Sequence, residues 1–176
     1  MRTYTRLRRE GGCYFFTVVL AQRQGNNLLV EHVNSLRKSF KYVQKNHPFI
    51  MDAIVIMPDH LHCIWQLPKD DSDFSTRWRL IKSHFSRSIK NTEIISKSRH
   101  RKGERGIWQR RFWEHVIRDE ADYVNHVEYI HYNPVKHGYV DRVKDWEFSS
   151  FHHWVEKQIY PLNWAAQDAI VKMEIE

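Results

Sequence analysis

Two histidines separated by one residue, His60 and His62, lie inside an apolar, strand-like run, and their spacing suggests chemistry. In a β-strand, residues i and i+2 point to the same face of the sheet. The two imidazoles would therefore lie side by side, while Leu61 and Cys63 would face a core. Two neutral imidazoles on one face suit a divalent cation that keeps positions open for another ligand, a substrate and water.

A second stretch of interest, residues 128–138, reads EYIHYNPVKHG. Together with the histidine pair, it resembles the histidine-hydrophobic-histidine nucleases. Within them, it resembles the REP-associated branch of the IS200-like single-tyrosine transposases. The resemblance extends over residues 11–20, the histidine pair, 108–117 and 123–138. It implies a DNA strand transferase that acts on single-stranded or hairpin DNA of the REP palindrome type.

The resemblance assigns Tyr129 as the nucleophile and Asn133 as a third metal ligand beside His60 and His62. Residues four apart share one face of a helix, so the tyrosine and the asparagine would lie one turn from each other. Oxygen and imidazole ligands together favour Mg²⁺ or Mn²⁺, and Zn²⁺ could bind opportunistically. Pro134 disfavours the α conformation at the preceding residue, but we expect the helical spacing to persist through Asn133.

The implied reaction is an in-line attack by the Tyr129 hydroxyl, which frees a 3′-OH and leaves a 5′-phosphotyrosine link. A free tyrosine has a pKa of about 10, so the hydroxyl needs help at neutral pH. His126, His131 and His137 are all candidates for that help. Asp59 is either a turn residue or an outer-shell partner that orients a histidine.

Other tyrosines compete for the role of nucleophile. Tyr132 lies only one residue before Asn133 and should point away from it, and Tyr123 has a less favourable helical angle. A buried structural tyrosine is the alternative interpretation for each of them, including Tyr129. A Tyr129 hydroxyl sealed in the interior would argue against the nucleophile hypothesis.

The composition and the net charge of the chain limit the classes of protein to which it can belong. The chain has 176 residues, of which 41% are hydrophobic and 14% aromatic, enough for one domain with a sizeable core. The net charge of +7 and the pI of about 9.5 indicate nucleic acid or an acidic membrane surface as a partner, unless the protein is merely basic. We see no membrane span and no signal peptide, and Cys13 and Cys63 suit reduced core residues. We therefore expect a cytoplasmic protein with no membrane partner, and the resemblance implies a bacterial, nucleoid-associated protein that is a monomer or homodimer.

The hydrophobic pattern predicts an α+β fold with a ferredoxin-like βαββαβ core and an antiparallel sheet, which the resemblance also implies. Strands are predicted at 13–20, 49–57, 60–67 and 108–117, helices at 29–46, around 74–85 and at 120–133, and a mobile loop at 97–105. We expect a single catalytic domain over 1–176, with a basic arm at 1–10, a core at 11–138 and an extension at 139–176. The aromatic residues of that extension should pack on the domain, since exposed rings forfeit burial of about 150–250 Å² each.

Basic and aromatic side chains are the candidate DNA contacts. Arginines and lysines would bind phosphates, and aromatic rings would stack on unpaired bases. For the N-terminal arm the alternative is a solvated surface, and for residues 108–115 it is a hydrophobic strand with snorkelling arginines. The candidates are Arg6, Arg8, Arg9, Arg77, Arg79, Lys82, Arg99, Arg101, Lys102, Trp108, Arg110 and Arg111.

Two functions remain open from the sequence. The first is a metal-dependent endonuclease and strand transferase. The second is a non-catalytic hairpin-binding protein derived from a transposase. A Zn²⁺-dependent hydrolase is a third possibility, but it would require another strong ligand and no tyrosine within reach.

Overall fold

A four-stranded antiparallel sheet forms the centre of the computed structural model, which describes residues 6–90, 95–166 and 168–174. The strands are β1 Cys13–Val19, β2 Ile50–Ile56, β3 His60–Gln66 and β4 Trp113–Val116. Their order across the sheet is β2-β3-β1-β4, which confirms the predicted ferredoxin-like core. The helices are α1 Leu28–Glu31, α2 Val33–Asn46, α3 Phe74–Ser88, α4 Lys97–Arg101, α5 Glu120–Lys136, α6 Phe151–Glu156 and α7 Asp168–Val171, with a 3₁₀ turn at Val143–Asp145.

The alternating side chains of the strands build two hydrophobic cores, one on each face of the sheet. Phe16 and Trp65 point to the face covered by α2 and α3, where Trp78 packs against both strands. Phe15 and Ile64 point to the opposite face, which α5 covers. The fold therefore places α5 over the face of the sheet that carries the histidine pair.

Several predicted bounds are wrong for local reasons. The helix predicted over 29–46 breaks at His32, which separates α1 from α2. Part of the predicted loop 97–105 is helical, because the Ser96 side chain accepts from the Arg99 backbone N–H and starts α4. The predicted strand 108–117 is regular only from Trp113, and residue 108 makes an isolated bridge to Leu20.

Helix α5 runs past its internal proline. Its first turn is capped by Asp119, whose side chain accepts from the backbone N–H of Asp122. The helix continues through Pro134 to Lys136, so the spacing between Tyr129 and Asn133 stays helical as predicted. Pro134 cannot donate a backbone hydrogen bond to the carbonyl of Ile130, which leaves one weak point beside Tyr129.

The aromatic C-terminal extension packs on the domain, as predicted. Trp146 and Trp154 donate their indole N–H groups to the backbone carbonyls of Ile56 and Asp52 on the edge strand β2. The chain at residue 149 also forms an antiparallel bridge with Val55, which covers the exposed edge of the sheet.

Residues 1–5 of the predicted basic arm lie outside the described residues. Over the part of the chain described, no helix is both long and apolar enough to cross a membrane.

Candidate active site

The rings of His60 and His62 lie on one face of β3, with their centroids 5.0 Å apart. Both residues are buried, and Leu61 and Cys63 belong to the core on the other face of the sheet. Burial lowers the pKa of His62 well below its usual value, and the charge of His60 adds to that effect. The His62 imidazole is therefore neutral at physiological pH, which is the form that binds a metal.

Neighbouring side chains hold the Nδ1 atoms of both imidazoles. The Asp59 carboxylate lies 2.6 Å from His60 Nδ1, and the Thr17 hydroxyl lies 2.9 Å from His62 Nδ1. Burial raises the pKa of Asp59, but hydrogen bonds from His60 and from the Arg23 guanidinium outweigh it and hold the carboxyl ionised. These contacts leave the Nε2 atom of each ring available for another partner.

Helix α5 brings Tyr129 to the same region, and Asn133 lies one helical turn further along. The Tyr129 ring packs edge-on against His62, with centroids 5.4 Å apart. The ammonium group of Lys136 lies 4.9 Å from the centre of the Tyr129 ring. His137, at the end of α5, lies with its ring 5.2 Å from that of His60.

The donor set fits a divalent cation. His60 Nε2, His62 Nε2 and both polar atoms of the Asn133 amide are buried and have no hydrogen-bond partner among the described residues. Each such atom costs about 1–3 kcal/mol when it is left unsatisfied in the interior. Two imidazole nitrogens and one amide oxygen can satisfy that requirement by sharing one metal ion.

Tyr129 itself is fully buried, with an exposed fraction of 0%. It belongs to the core between β3 and α5, and Ile170 of α7 packs in the same cluster. Such burial is typical of a structural tyrosine and counts against the nucleophile hypothesis. The ring lies next to His62, yet the hydroxyl is buried and would have to become accessible before it could reach a phosphate.

A second histidine cluster lies further along the same face. The rings of His115 and His126 stack at 4.6 Å with planes 14° apart, and Asp122 contacts His115 Nε2 at 2.8 Å. Metal ligands need lone pairs that converge in the planes of both rings, and nearly parallel rings do not converge. His126 Nδ1 is also engaged, 2.7 Å from the Asp122 carbonyl, and burial lowers the pKa of His126. This group therefore fixes α5 against β4 and is a poor metal site.

His131 also has a packing role. Its Nε2 lies 2.9 Å from the Ser150 hydroxyl, and its ring contacts Trp154 and Tyr160 of the extension. Burial lowers the pKa of His131 to about 3. Its ring is committed to the C-terminal extension, so the structure removes it from the candidates that could assist Tyr129.

Similarity to known proteins agrees with this geometry. The profile of the family described as "Transposase IS200 like" matches residues 12–133. A REP-associated tyrosine transposase of Escherichia coli is 46% identical over 165 residues, which cover 94% of this chain and 92% of that protein. A Haemophilus influenzae protein named for the same group is 45% identical over 99% of this chain and its own full length.

The chain belongs to the IS200-like transposases, in their REP-associated tyrosine branch. A solved structure of such a transposase, bound to a REP hairpin, superposes with a TM-score of 0.81. That protein is 44% identical in sequence, and the match covers 95% of this chain and 93% of the other. The resemblance drawn from the sequence is confirmed, and the transposase class is confirmed at the level of the family.

The structure corrects two of the predicted DNA contacts of this transposase. The Arg77 guanidinium is buried and donates to the Asp71 carboxylate and to the backbone carbonyls of His47, Pro48 and Asp73. It holds α3 to its surroundings, and its hydrogen bonds leave nothing to bind a phosphate. Trp108 is also buried, with its ring 5.4 Å from that of Phe85 beneath α3, so it cannot stack on a base.

The remaining basic candidates differ in how exposed their charged groups are and in whether these groups already have partners within the protein. Three are partly committed: Arg6 lies over the Phe112 ring, Lys82 donates to the Gln109 carbonyl, and Arg99 donates to the Trp108 carbonyl. Burial lowers the pKa of Lys82 to about 8, and the charge of Arg6 adds to that effect. The exposed candidates are Arg8, Arg9, Arg79, Arg101, Lys102, Arg110 and Arg111, of which Arg8 and Arg110 also face the carboxylates of Asp73 and Glu104.

Sequence reasoning missed residues that reach the site through strand pairing. Thr17 on β1 pairs with His62 on β3 and, on its other side, with Trp113 on β4. Arg23 follows β1 at the end of the sheet where β3 begins, and it contacts Asp59 there. The histidine pair gave no hint of these residues, but the antiparallel register would have located Thr17.

Replacement of Thr17 tests whether this residue supports metal binding at the candidate donor set of His60, His62 and Asn133. In a Thr17→Val variant, His62 Nδ1 loses its hydroxyl partner at nearly constant side-chain volume. Loss of such an outer-shell partner typically weakens metal affinity by about 10- to 100-fold. We expect a shift of this size in a Mn²⁺ titration followed by calorimetry, and Thr17→Ser should restore the affinity. Equal affinities in all three proteins would show that Thr17 does not orient the ligand.

Proposed function

We propose that this transposase is a metal-dependent endonuclease and strand transferase for single-stranded or hairpin DNA, acting on REP-type palindromic repeats through a 5′-phosphotyrosine on Tyr129. The observation that carries this proposal is that strand β3 and helix α5 bring their candidate side chains together on one face of the sheet. The Tyr129 ring contacts His62 and the His137 ring contacts His60, and Asn133 lies on α5 one turn from each, with its amide buried and unsatisfied like the Nε2 atoms of the histidines. The family and its hairpin-bound relative support the substrate class.

His60, His62 and Asn133 would hold the divalent ion, Mg²⁺ or Mn²⁺. When bound, the ion would supply Lewis-acid stabilisation of charge on the scissile phosphate. Asp59 and Thr17 would act as positioning residues, because they fix the orientation of the two rings. The ionised Asp59 would also keep the proton of His60 on Nδ1, so that Nε2 remains a ligand.

Tyr129 would act as the nucleophile. Its hydroxyl releases its proton to solvent, and the oxygen forms a bond to the phosphorus while the bond from phosphorus to the 3′ oxygen breaks. That 3′ oxygen takes a proton and leaves as a 3′-OH. The Lys136 ammonium beside the ring would stabilise negative charge on the phenol oxygen. Because the phosphotyrosine retains the energy of the phosphodiester, the 3′-OH of another strand can reverse the attack and join the strands.

The buried position of Tyr129 would be the resting state of this reaction. Attack requires a local shift of α5, and Pro134 weakens the helix there because it removes the hydrogen bond to the Ile130 carbonyl. Tyr129 contacts His62 of its own chain, which supports a complete site within one monomer. A DNA substrate of this kind also supports action at the bacterial nucleoid in the cytoplasm.

A non-catalytic hairpin-binding protein is the second candidate function, and the 0% exposure of Tyr129 favours it. Incubation with labelled hairpin oligonucleotides and Mn²⁺, followed by denaturing gel electrophoresis, separates the two. The strand transferase should yield a protein–DNA adduct and a free 3′ end. Hairpin binding with no adduct under Mn²⁺ or Mg²⁺ would support the second candidate.

The exposed charges of α4 and the residue after it are expected to bind DNA phosphates. A double Arg101→Gln, Lys102→Gln variant should bind a hairpin more weakly and lower the slope of log affinity against log salt by about 0.7–0.9 for each phosphate that the protein no longer neutralises. Fluorescence anisotropy over a salt series measures the slope. An Arg37→Gln, Lys38→Gln pair on the exposed side of α2 removes the same charge as a control. A slope unchanged from the parent protein would place the phosphate-binding residues elsewhere.

A further inference from the structure

A cavity of about 420 Å³ is lined by both histidines of the proposed metal site and extends beyond them to residues that the proposed reaction does not use. Its lining includes His62 and Thr17 on one side and Gln109, Arg111, Phe112 and Trp113 on the other. Helix α5 covers β2 and β3, and the cavity lies towards β4. It therefore includes the side of the proposed metal site that faces away from α5, and it extends further along the sheet.

The sheet sets the distance between the two sides of the cavity. His62, Thr17 and Trp113 lie in one row across β3, β1 and β4 and point to the same face. Neighbouring strands are about 4.8 Å apart, so the Trp113 side chain begins about 10 Å from that of His62. That span suits one nucleotide whose phosphate lies at the histidines and whose base reaches the tryptophan.

Trp113 has the properties of a stacking platform. It is a large aromatic residue on an edge strand with 41% of its surface exposed. One side of the ring is supported by His115, which stacks on it with planes 7° apart, and Phe15 contacts it edge-on at 5.8 Å. A fixed ring that is open on one side offers a surface for a base, and stacking on such a ring tolerates any base.

Polar groups at the mouth of the cavity complement a base and its backbone. The backbone N–H of Gln109 donates to the Val19 carbonyl, and its own carbonyl accepts from Lys82. The backbone of Gln109 is thus fixed, while its exposed side chain stays available to a base edge. Arg111 is exposed beside it and supplies positive charge for the sugar–phosphate chain.

We propose that this cavity binds one unpaired nucleobase adjacent to the scissile phosphate, stacked on Trp113 and contacted at its edge by Gln109. This inference rests on the proposed function and names a subsite for its substrate. A base within a duplex has both faces covered by its neighbours, so only an unpaired base, in a single-stranded flank or in the loop, can enter. The cavity would thereby direct cleavage to unpaired DNA, and the test below asks whether that DNA is a flank of the hairpin.

The test uses binding alone, so that it does not depend on catalysis. A REP-type hairpin with single-stranded flanks carries 2-aminopurine at one flank position at a time and is mixed with the full chain without divalent metal. We expect quenching of 2-aminopurine at one position in the parent protein and its loss in Trp113→Ala. An abasic site at that position should weaken binding by the parent protein by about 5- to 150-fold and leave Trp113→Ala little changed.

Two further variants serve as controls, one that keeps an aromatic ring at the site and one that removes an exposed aromatic ring elsewhere. Trp113→Phe keeps an aromatic ring and should retain most of the affinity, while Tyr42→Ala removes an exposed aromatic residue from α2 and should change nothing. Quenching that persists in Trp113→Ala, or abasic effects that are equal in both proteins, would overturn the base subsite. A missing adduct in the presence of Mn²⁺, with the quenching pattern intact, would contradict the proposed cleavage reaction and leave the subsite standing.

Discussion

Tyr129→Phe is expected to abolish the covalent protein–DNA adduct and to lower hairpin cleavage by on the order of 10³-fold or more. The substitution removes only the hydroxyl oxygen that we propose as the nucleophile. Packing should survive, because the ring keeps its edge-on contacts with His62 and Phe15. Denaturing gels measure the adduct, and fluorescence anisotropy should give a hairpin affinity close to that of the parent protein.

Tyr132→Phe is the matched control for that result. Tyr132 lies on the same helix, one turn from Tyr129, and is only partly buried against the same core. Its removal should leave both adduct and cleavage intact. An adduct that survives in Tyr129→Phe and disappears in Tyr132→Phe would assign the role of nucleophile to Tyr132 and not to Tyr129.

The second large effect is expected at the histidine pair. His60→Ala and His62→Ala each remove one of the two Nε2 ligands, so Mn²⁺ should no longer support cleavage. The parent protein should also gain thermal stability from Mn²⁺, by about 2.7 kcal/mol at a concentration of 100 times the dissociation constant. For a chain of this size that corresponds to a rise in Tm of about 5–10 °C. Both variants should lose this rise.

His153→Ala controls for nonspecific binding of Mn²⁺ to histidine. The His153 side chain is 61% exposed on α6, in the C-terminal extension. This variant should keep both the metal-induced rise in Tm and the cleavage activity. Mn²⁺-dependent cleavage that persists in His60→Ala would contradict the ligand assignment, whatever the stability of the variant.

Local sequence pattern was sufficient for much of the fold. The alternation in β3 put His60 and His62 on one face and Leu61 and Cys63 on the other, since a strand has a period of two residues. The helical spacing of three and four residues located α2 and α3. These periodicities depend on the backbone alone, so they can be read without knowledge of the partners of each element.

The bounds of the helices and strands, and the burial of individual side chains, could not be predicted from local sequence pattern alone. Trp108 and Arg77 looked like exposed DNA contacts because the sequence shows the type of a residue and not what lies over it. In the structure, α3 covers Trp108, while carbonyls from the turn before β2 and the Asp71 carboxylate surround Arg77. Such burial follows from the packing of distant segments, which no local window of sequence contains.

By itself, the sequence determined the residue types, the strand and helix periods, and therefore the faces that carry His60, His62, Tyr129 and Asn133. Only the tertiary structure decided that Thr17 supports His62, that Trp113 faces the cavity and that Tyr129 rests buried. The physical reason is that register and layer packing join residues far apart in the chain. Those contacts exist only once the whole sheet has formed.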